Sequence, residues 1–266
     1  MIATATALAL ALLASTDGGA PPASDAALTA PPASAATIGP TPTPAYHPGE
    51  QMAFDVEFGG FKAGEARITV GARVGDLLPV SLEAKTTGII GIIKLKQLLV
   101  STLDVTSGLP RASQIDGAEP GYRHTDTAQF DRYSGIATVR ERGKYDNTYK
   151  VEVPPGTVDF VALVFKLRTL PLEPGLTHQF PVLAGRIVNQ VVASVEARET
   201  VATFRGPVQA IRVRVPTGFS GKFSEKSPSF VWFADDDRRM VVRISADFAV
   251  GRGVAVLTGY QPGDGQ

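Results

Sequence analysis

A period of two in the apolar residues, renewed along most of the chain, restricts what this sequence can fold into more than any other feature. Met52, Phe54, Val56 and Phe58 alternate with Gln51, Ala53, Asp55 and Glu57. In a strand successive side chains leave on opposite faces, so this pattern predicts one buried face and one solvated face. Gly59-Gly60 and then Gly64 mark a turn, after which Ala66, Ile68 and Val70 alternate with Arg67 and Thr69 as the second strand of a hairpin. Further strands are expected at 80–86, 98–105, 122–130, 136–140, 149–153, 177–182, 188–197, 208–215, 230–233, 241–248 and 254–260. Short strands at such even spacing, with glycine-marked turns, point to an antiparallel barrel or sandwich.

One stretch breaks the rhythm. Pro154-Pro155-Gly156 stops a strand, Thr157 is a candidate N-cap, Asp159 suits the positive end of a helix dipole, and Pro171 ends the segment. A helix over 158–170 is therefore expected, with a buried strand at 160–165 as the alternative. Its apolar residues cover most of its circumference, so it must be buried on more than one side, as a helix inside a curved sheet would be. The fold class that follows is all-β and mainly antiparallel: a strongly curved sheet or half-open β-barrel with one buried helix.

The N-terminal part reads differently. The apolar run Ala7–Ala14 is far shorter than the ~20 residues of a membrane-spanning helix, and small residues such as Gly18-Gly19-Ala20 follow it. Residues 1–16 are read as a signal peptide, although no Lys or Arg precedes the apolar run. Residues 17–45 are rich in Ala, Pro, Ser and Thr and have too little apolar surface to offset their ordering entropy, so a disordered linker is expected there. Residues 46–262 would then form a single β-barrel-like domain. No stretch is suited to a transmembrane span, and a periplasmic or secreted location is expected.

Composition removes several function classes. The chain has no cysteine, which excludes disulfides, a thiolate nucleophile and zinc–thiolate sites. Lys and Arg number 26, as do Asp and Glu, and no basic footprint for nucleic acid results. Three histidines, His47, His124 and His178, show no regular ligand spacing, and no nucleophile elbow, Walker loop or dinucleotide fingerprint is present. No metal and no cofactor is expected. Asp235-Asp236-Asp237 suits a hairpin turn better than a calcium site. His124 and Asp126 would share one face of a regular strand, with Arg123 and Thr125 on the other. The pair could orient a general base, as in a hydrolase, yet no nucleophile accompanies it.

Several of these segments together resemble the bacterial family called domain of unknown function 3108. The resemblance runs through 49–56 (Gly-Glu-Gln-Met-Ala-Phe-Asp-Val), the Ala63-Gly64 pair, 123–131, 155–175 and the 231–242 stretch around Trp232, where the family often has a Pro near Met240 or Val241 that this sequence lacks. It covers most of 47–260, and it implies an exported protein with no assigned chemistry. The last stretch is also faintly similar to the lipoprotein carriers represented by LolA and LolB, whose half-open barrel surrounds a helix and shelters acyl chains.

The function expected from this reading is non-enzymatic: a periplasmic or envelope protein holding a lipid or other apolar small molecule in a barrel groove. Phe160, Leu163, Val164, Phe165, Leu167 and Trp232 are the candidate groove residues. The rival is an interaction module with a solid core that contacts an envelope protein. Ile89, Ile90, Ile92 and Ile93, in an apolar run edged by Lys94 and Lys96, are candidates for a membrane or partner contact.

Overall fold

The computed structural model describes residues 46–87, 96–119, 121–144, 146–216, 229–248 and 251–264. The signal peptide, the linker and Ile89, Ile90, Ile92 and Ile93 lie outside these residues. The first meander comprises β1 (Gln51–Phe58), β2 (Phe61–Val70), β3 (Leu77–Thr86), β4 (Lys96–Asp104), β5 (Pro110–Glu119), β6 (Tyr122–Asp131), β7 (Ile136–Arg142) and β8 (Asn147–Glu152). Helix α1 (Phe160–Arg168) follows, then β9 (Thr177–Ala184), β10 (Ile187–Thr203), β11 (Gly206–Val215), β12 (Ser229–Ala234), β13 (Val241–Phe248) and β14 (Gly251–Gln261).

All fourteen strands belong to one antiparallel sheet in the order β8-β7-β6-β5-β4-β3-β2-β1-β14-β13-β12-β11-β10-β9. The alternation read from the sequence sets its faces. Met52 pairs with Ile68 and Tyr260, and Phe54 with Ala66 and Leu257, which places the large apolar side chains of neighbouring strands on one inner face. That row continues through Leu82, Leu99 and Ile115 on one side and through Ala255, Ile244, Val231, Val213 and Val195 on the other. β5 has no such signature, since Ile115 is its one large aliphatic residue; it is held by ladder pairing with β4 and β6.

The ladder does not close. β8 and β9 stand at opposite edges, yet the sheet curls until side chains of the two ends meet. Leu183 and Val188 pack into one cluster with Phe130, Val139, Tyr149 and Val151, and Arg186 reaches Glu141 at 3.3 Å while lying 4.6 Å from the Tyr149 ring centroid. The β9 edge is partly covered by the chain entering the helix: Val158 accepts from Leu183 N at 2.8 Å and donates to Pro181 O at 2.9 Å. The result is a half-open barrel with one helix inside.

Helix α1 begins two residues later than expected, with a different cap. Asp159, in extended conformation, accepts from Ala162 N at 2.8 Å and from Ser101 Oγ at 2.6 Å. Thr157 instead donates its hydroxyl to Pro154 O at 2.6 Å and closes the preceding turn. Asp reaches N2 or N3 donors better from the position directly before the first helical residue, and here that position is 159. The helix enters the barrel at mid-height and leaves at the end where β1 starts and β14 finishes.

At that end Arg168 is fully buried and makes a bidentate ion pair with Glu50, Nη1 to Oε2 at 2.9 Å and Nη2 to Oε1 at 2.8 Å. Nη2 also donates to Arg238 O at 2.8 Å, and the Tyr260 hydroxyl donates to Glu50 Oε1 at 3.2 Å. Tyr46 packs edge-on against Phe165 at 4.8 Å and lies beside the guanidinium. Asp235 to Asp237 build the adjacent β12–β13 turn, where Asp236 Oδ1 accepts from Arg238 N and Arg239 N.

Burying the Asp159 carboxyl pushes its pKa up to about 6, against the opposing hydrogen bonds from Ala162 and Ser101. In the unfolded chain it titrates near ~3.9. The folded state therefore takes up a proton first, and the cost of the buried charge is fully present above pH ~6 and relieved as pH falls towards ~4. Urea unfolding at pH 7.5 and pH 5 should show the protein more stable at the lower pH, Asp159 contributing about 1.4 kcal/mol over that interval. Asp159→Asn keeps a good cap and should lose that part of the pH dependence; an unchanged profile in the variant would remove Asp159 as its source.

Candidate functional site

The barrel interior is graded in side-chain size along its axis. Around α1 it is filled by Met52, Phe54, Leu103, Ile211, Phe233 and Leu257, each at most 2% exposed, against Leu163, Phe165 and Leu167 of the helix. Towards the Gly59-Gly60 turn small side chains enter the inner positions, Ala66, Ala84, Ala246 and Ala255, alongside Val56. The helix does not extend there. Inward-pointing Ala66, Ile115, His124 and Asp126 are only partly buried in this distal half.

A polar cluster stands in the same half. His124 pairs with Gly117, and its ring occupies the space a side chain at 117 would need: a Cβ there would lie 2.0 Å from His124 Cε1. Its other face stacks on Tyr122 with centroids 5.5 Å apart. Asp126, two residues further on the same face, stands directly across from Glu141 of β7. Burial pushes the Asp126 carboxyl up to about 6, the nearby His124 opposes that rise and Glu141 reinforces it. Arg186 from the β9–β10 turn faces Glu141 across the seam. Near neutral pH the cluster presents carboxylates as acceptors, and on mild acidification Asp126 becomes a donor.

This geometry does not assemble a catalytic pair. No hydrogen bond joins His124 and Asp126, and His124 Nδ1 is buried with no partner among the described residues. No group of three His, Cys, Asp or Glu residues suited to a metal ion is found among the described residues.

The six groove residues expected from sequence are divided by the structure. Leu163, Val164, Phe165 and Leu167 are buried in the packed core, while Phe160 is half-buried at the first helical position. Trp232 needs correction. Its cross-strand partners are Arg212 and Arg243, so it lies on the face opposite Val231 and Phe233, outside the barrel. There Trp232 Nε1 donates to Glu199 Oε1, and Arg243 sits 5.2 Å from its ring centroid, so the indole is buried by neighbouring side chains on the outer surface. His124 and Asp126 share one face, as strand parity implies, and that face is the interior one. Glu141, Arg186, Tyr122, Glu50 and Arg168 were not anticipated. A buried-helix arginine among apolar neighbours was the one legible signal, because such a charge needs a buried partner.

Comparison with known proteins agrees with the architecture. The profile of a family described as protein of unknown function (DUF3108) matches residues 53–258. Among solved structures, a β-barrel-like protein of domain of unknown function DUF1849 from Brucella abortus superposes with a TM-score of 0.57 at 9% identity, covering 82% of this chain and 99% of its own. A candidate exported protein with a YmcC-like fold from Bacteroides fragilis gives a TM-score of 0.34 at 12% identity, with 81% and 97% covered. A candidate lipoprotein from Parabacteroides distasonis gives 0.33 at 9%, with 83% and 99% covered. No curated protein matches the sequence.

Proposed function

The chain belongs to the DUF3108 family, whose function is not known, and from that premise we propose that it is a non-enzymatic protein of the periplasm or cell envelope that holds a lipid or other apolar ligand in the distal half of its barrel. In this reading residues 1–16 are a signal peptide, 17–45 a disordered linker and 46–262 the working domain. The observation that carries the proposal is the axial grading: large side chains and α1 fill one half of the interior, while alanines and a partly exposed Ile115 line the other. Barrels of this class accept one small ligand where side chains leave room. Ala66, Ala84, Leu99 and Ile115 would touch the apolar part, and His124 and Asp126 its polar end. Phe160 stands at the helix end nearest this half.

Leu163 sits in the packed core, so filling the proposed site requires a change at Ala66. Protein purified without detergent, and the same protein incubated with palmitate, are compared by native mass spectrometry as wild type and as Ala66→Phe. The wild type should carry a lipid-sized adduct that the variant lacks while unfolding at the wild-type temperature. Wild-type protein that takes up no palmitate and releases no lipid on extraction would end the carrier reading.

A further inference from the structure

On the outer surface of β4 to β7 the sheet carries a cleft of about 340 Å³ that the barrel interior does not share. The register builds it row by row. Gln114, Thr127 and Arg140 stand side by side on three strands, as do Thr125 and Arg142 on the neighbouring row, with Gln129 beyond. All point away from the face that holds Asp126 and Ala128. The lining contains hydroxyls, amides and two guanidiniums, and no aromatic ring.

The charges here differ from those at the second outer cleft, on β1 to β3, whose lining carries three carboxylates, Asp55, Glu65 and Glu83, beside Arg67 and Lys85. Lys85 there binds Glu65, and Lys62 close by binds Asp55 and Glu65. Arg212 and Arg198 on the opposite side each bind two. Arg140 and Arg142, together with Arg123 and Lys150 on the same outer face, form no ion pair among the described residues. Asp116, across from Thr125 on the same outer face, is already held by Thr125 Oγ1 at 2.8 Å and Gln114 Nε2 at 2.6 Å.

We infer that this cleft is a binding site for a small, hydroxyl-rich phosphate ester, with Arg140 and Arg142 on the phosphate and Thr127, Gln129 and Gln114 on the hydroxyls. Residues two apart on a strand lie about 7 Å apart on one face, a separation from which two flexible guanidiniums converge on one phosphate. Arginine is suited to that anion because its fork donates in pairs. Two arginines and no carboxylate in the lining supply the charge complementarity, and the volume suits a ligand of monosaccharide size. With no aromatic platform, neither a neutral sugar nor a nucleobase finds a stacking surface. A membrane is the poorer occupant, because the lining offers no apolar side chain large enough to enter one.

The test is calorimetric titration of the full-length protein at low salt with glucose 6-phosphate, inorganic phosphate and glucose. Glucose 6-phosphate should bind saturably and more tightly than inorganic phosphate, glucose should not bind, and added NaCl should weaken the binding. Arg140→Gln and Arg142→Gln should each lower affinity about tenfold or more, while Arg214→Gln, an exposed arginine of β11, should not; unchanged unfolding temperatures confirm that all three variants fold. The inference is overturned by absence of saturable binding, by equal losses in all three variants, or by binding to phosphatidylglycerol vesicles without binding to the soluble ester.

Discussion

Replacing Arg168 by methionine should destabilise the protein by about 3–5 kcal/mol, the cost of leaving a buried carboxylate without its partner. Glu50 is only 2% exposed and the guanidinium not at all. Met retains most of the stem, so the loss is of charge and hydrogen bonds more than of volume. Glu50 would keep one hydrogen bond, from Tyr260 at 3.2 Å, and Arg238 O would lose the one it accepts from Arg168. Glu50→Met combined with Arg168→Met removes both charges and should cost less than the single change, since desolvation of an unpaired ion is avoided. Urea unfolding of wild type, both single variants and the double variant measures this directly. A cost below about 1 kcal/mol for Arg168→Met would mean that water reaches Glu50 and that the pair is not buried.

Leu163→Ala should cost about 2–5 kcal/mol. The side chain is 0% exposed, and both the helix and the inner faces of the surrounding strands are fixed by pairing, so little collapse can fill the space left behind. Phe160→Ala, at a half-buried position one turn earlier, should cost less despite removing more atoms. Equal losses at the two positions, read from the same unfolding curves, would contradict the grading of the interior.

The barrel was legible wherever burial of one face left its mark. β1, β3 and β4 alternate cleanly because one face is buried in the core and the other meets water. β5 was invisible, because among its inner positions Ser113, Ile115 and Gly117 only Ile115 is large and apolar, so no apolar period results. The helix showed itself through the stops on either side and its all-round apolar surface, while its cap was misplaced by two residues, Thr157 being an equally good oxygen acceptor on paper.

At the site, strand parity correctly put His124 and Asp126 on one face. It could not say that this face is the inside, because residues 122–129 are polar on both faces and the decision is made by β5 and β7 on either side. Trp232 shows the converse limit: Phe230-Val231-Trp232-Phe233 is apolar on both faces, so a large aromatic there gives no sign of which way it points. Glu50 and Arg168 lie 118 residues apart, Glu141 and Arg186 on opposite edges of the sheet, and no local pattern couples them.

The strand order also dictates how this chain has to find its fold. Of the thirteen strand pairings among the described residues, twelve join neighbours in sequence, and only β1 with β14 joins distant segments. Each hairpin can therefore zip from its own turn in microseconds, giving two separate meanders, β1 to β8 and β9 to β14. Joining them requires closure of a loop of about two hundred residues, whose entropy grows only as the logarithm of its length. That step cannot be nucleated locally. Until it happens the apolar inner faces of both meanders and the helix between them are uncovered, so the slow event in folding and the interval of greatest aggregation risk are the same one.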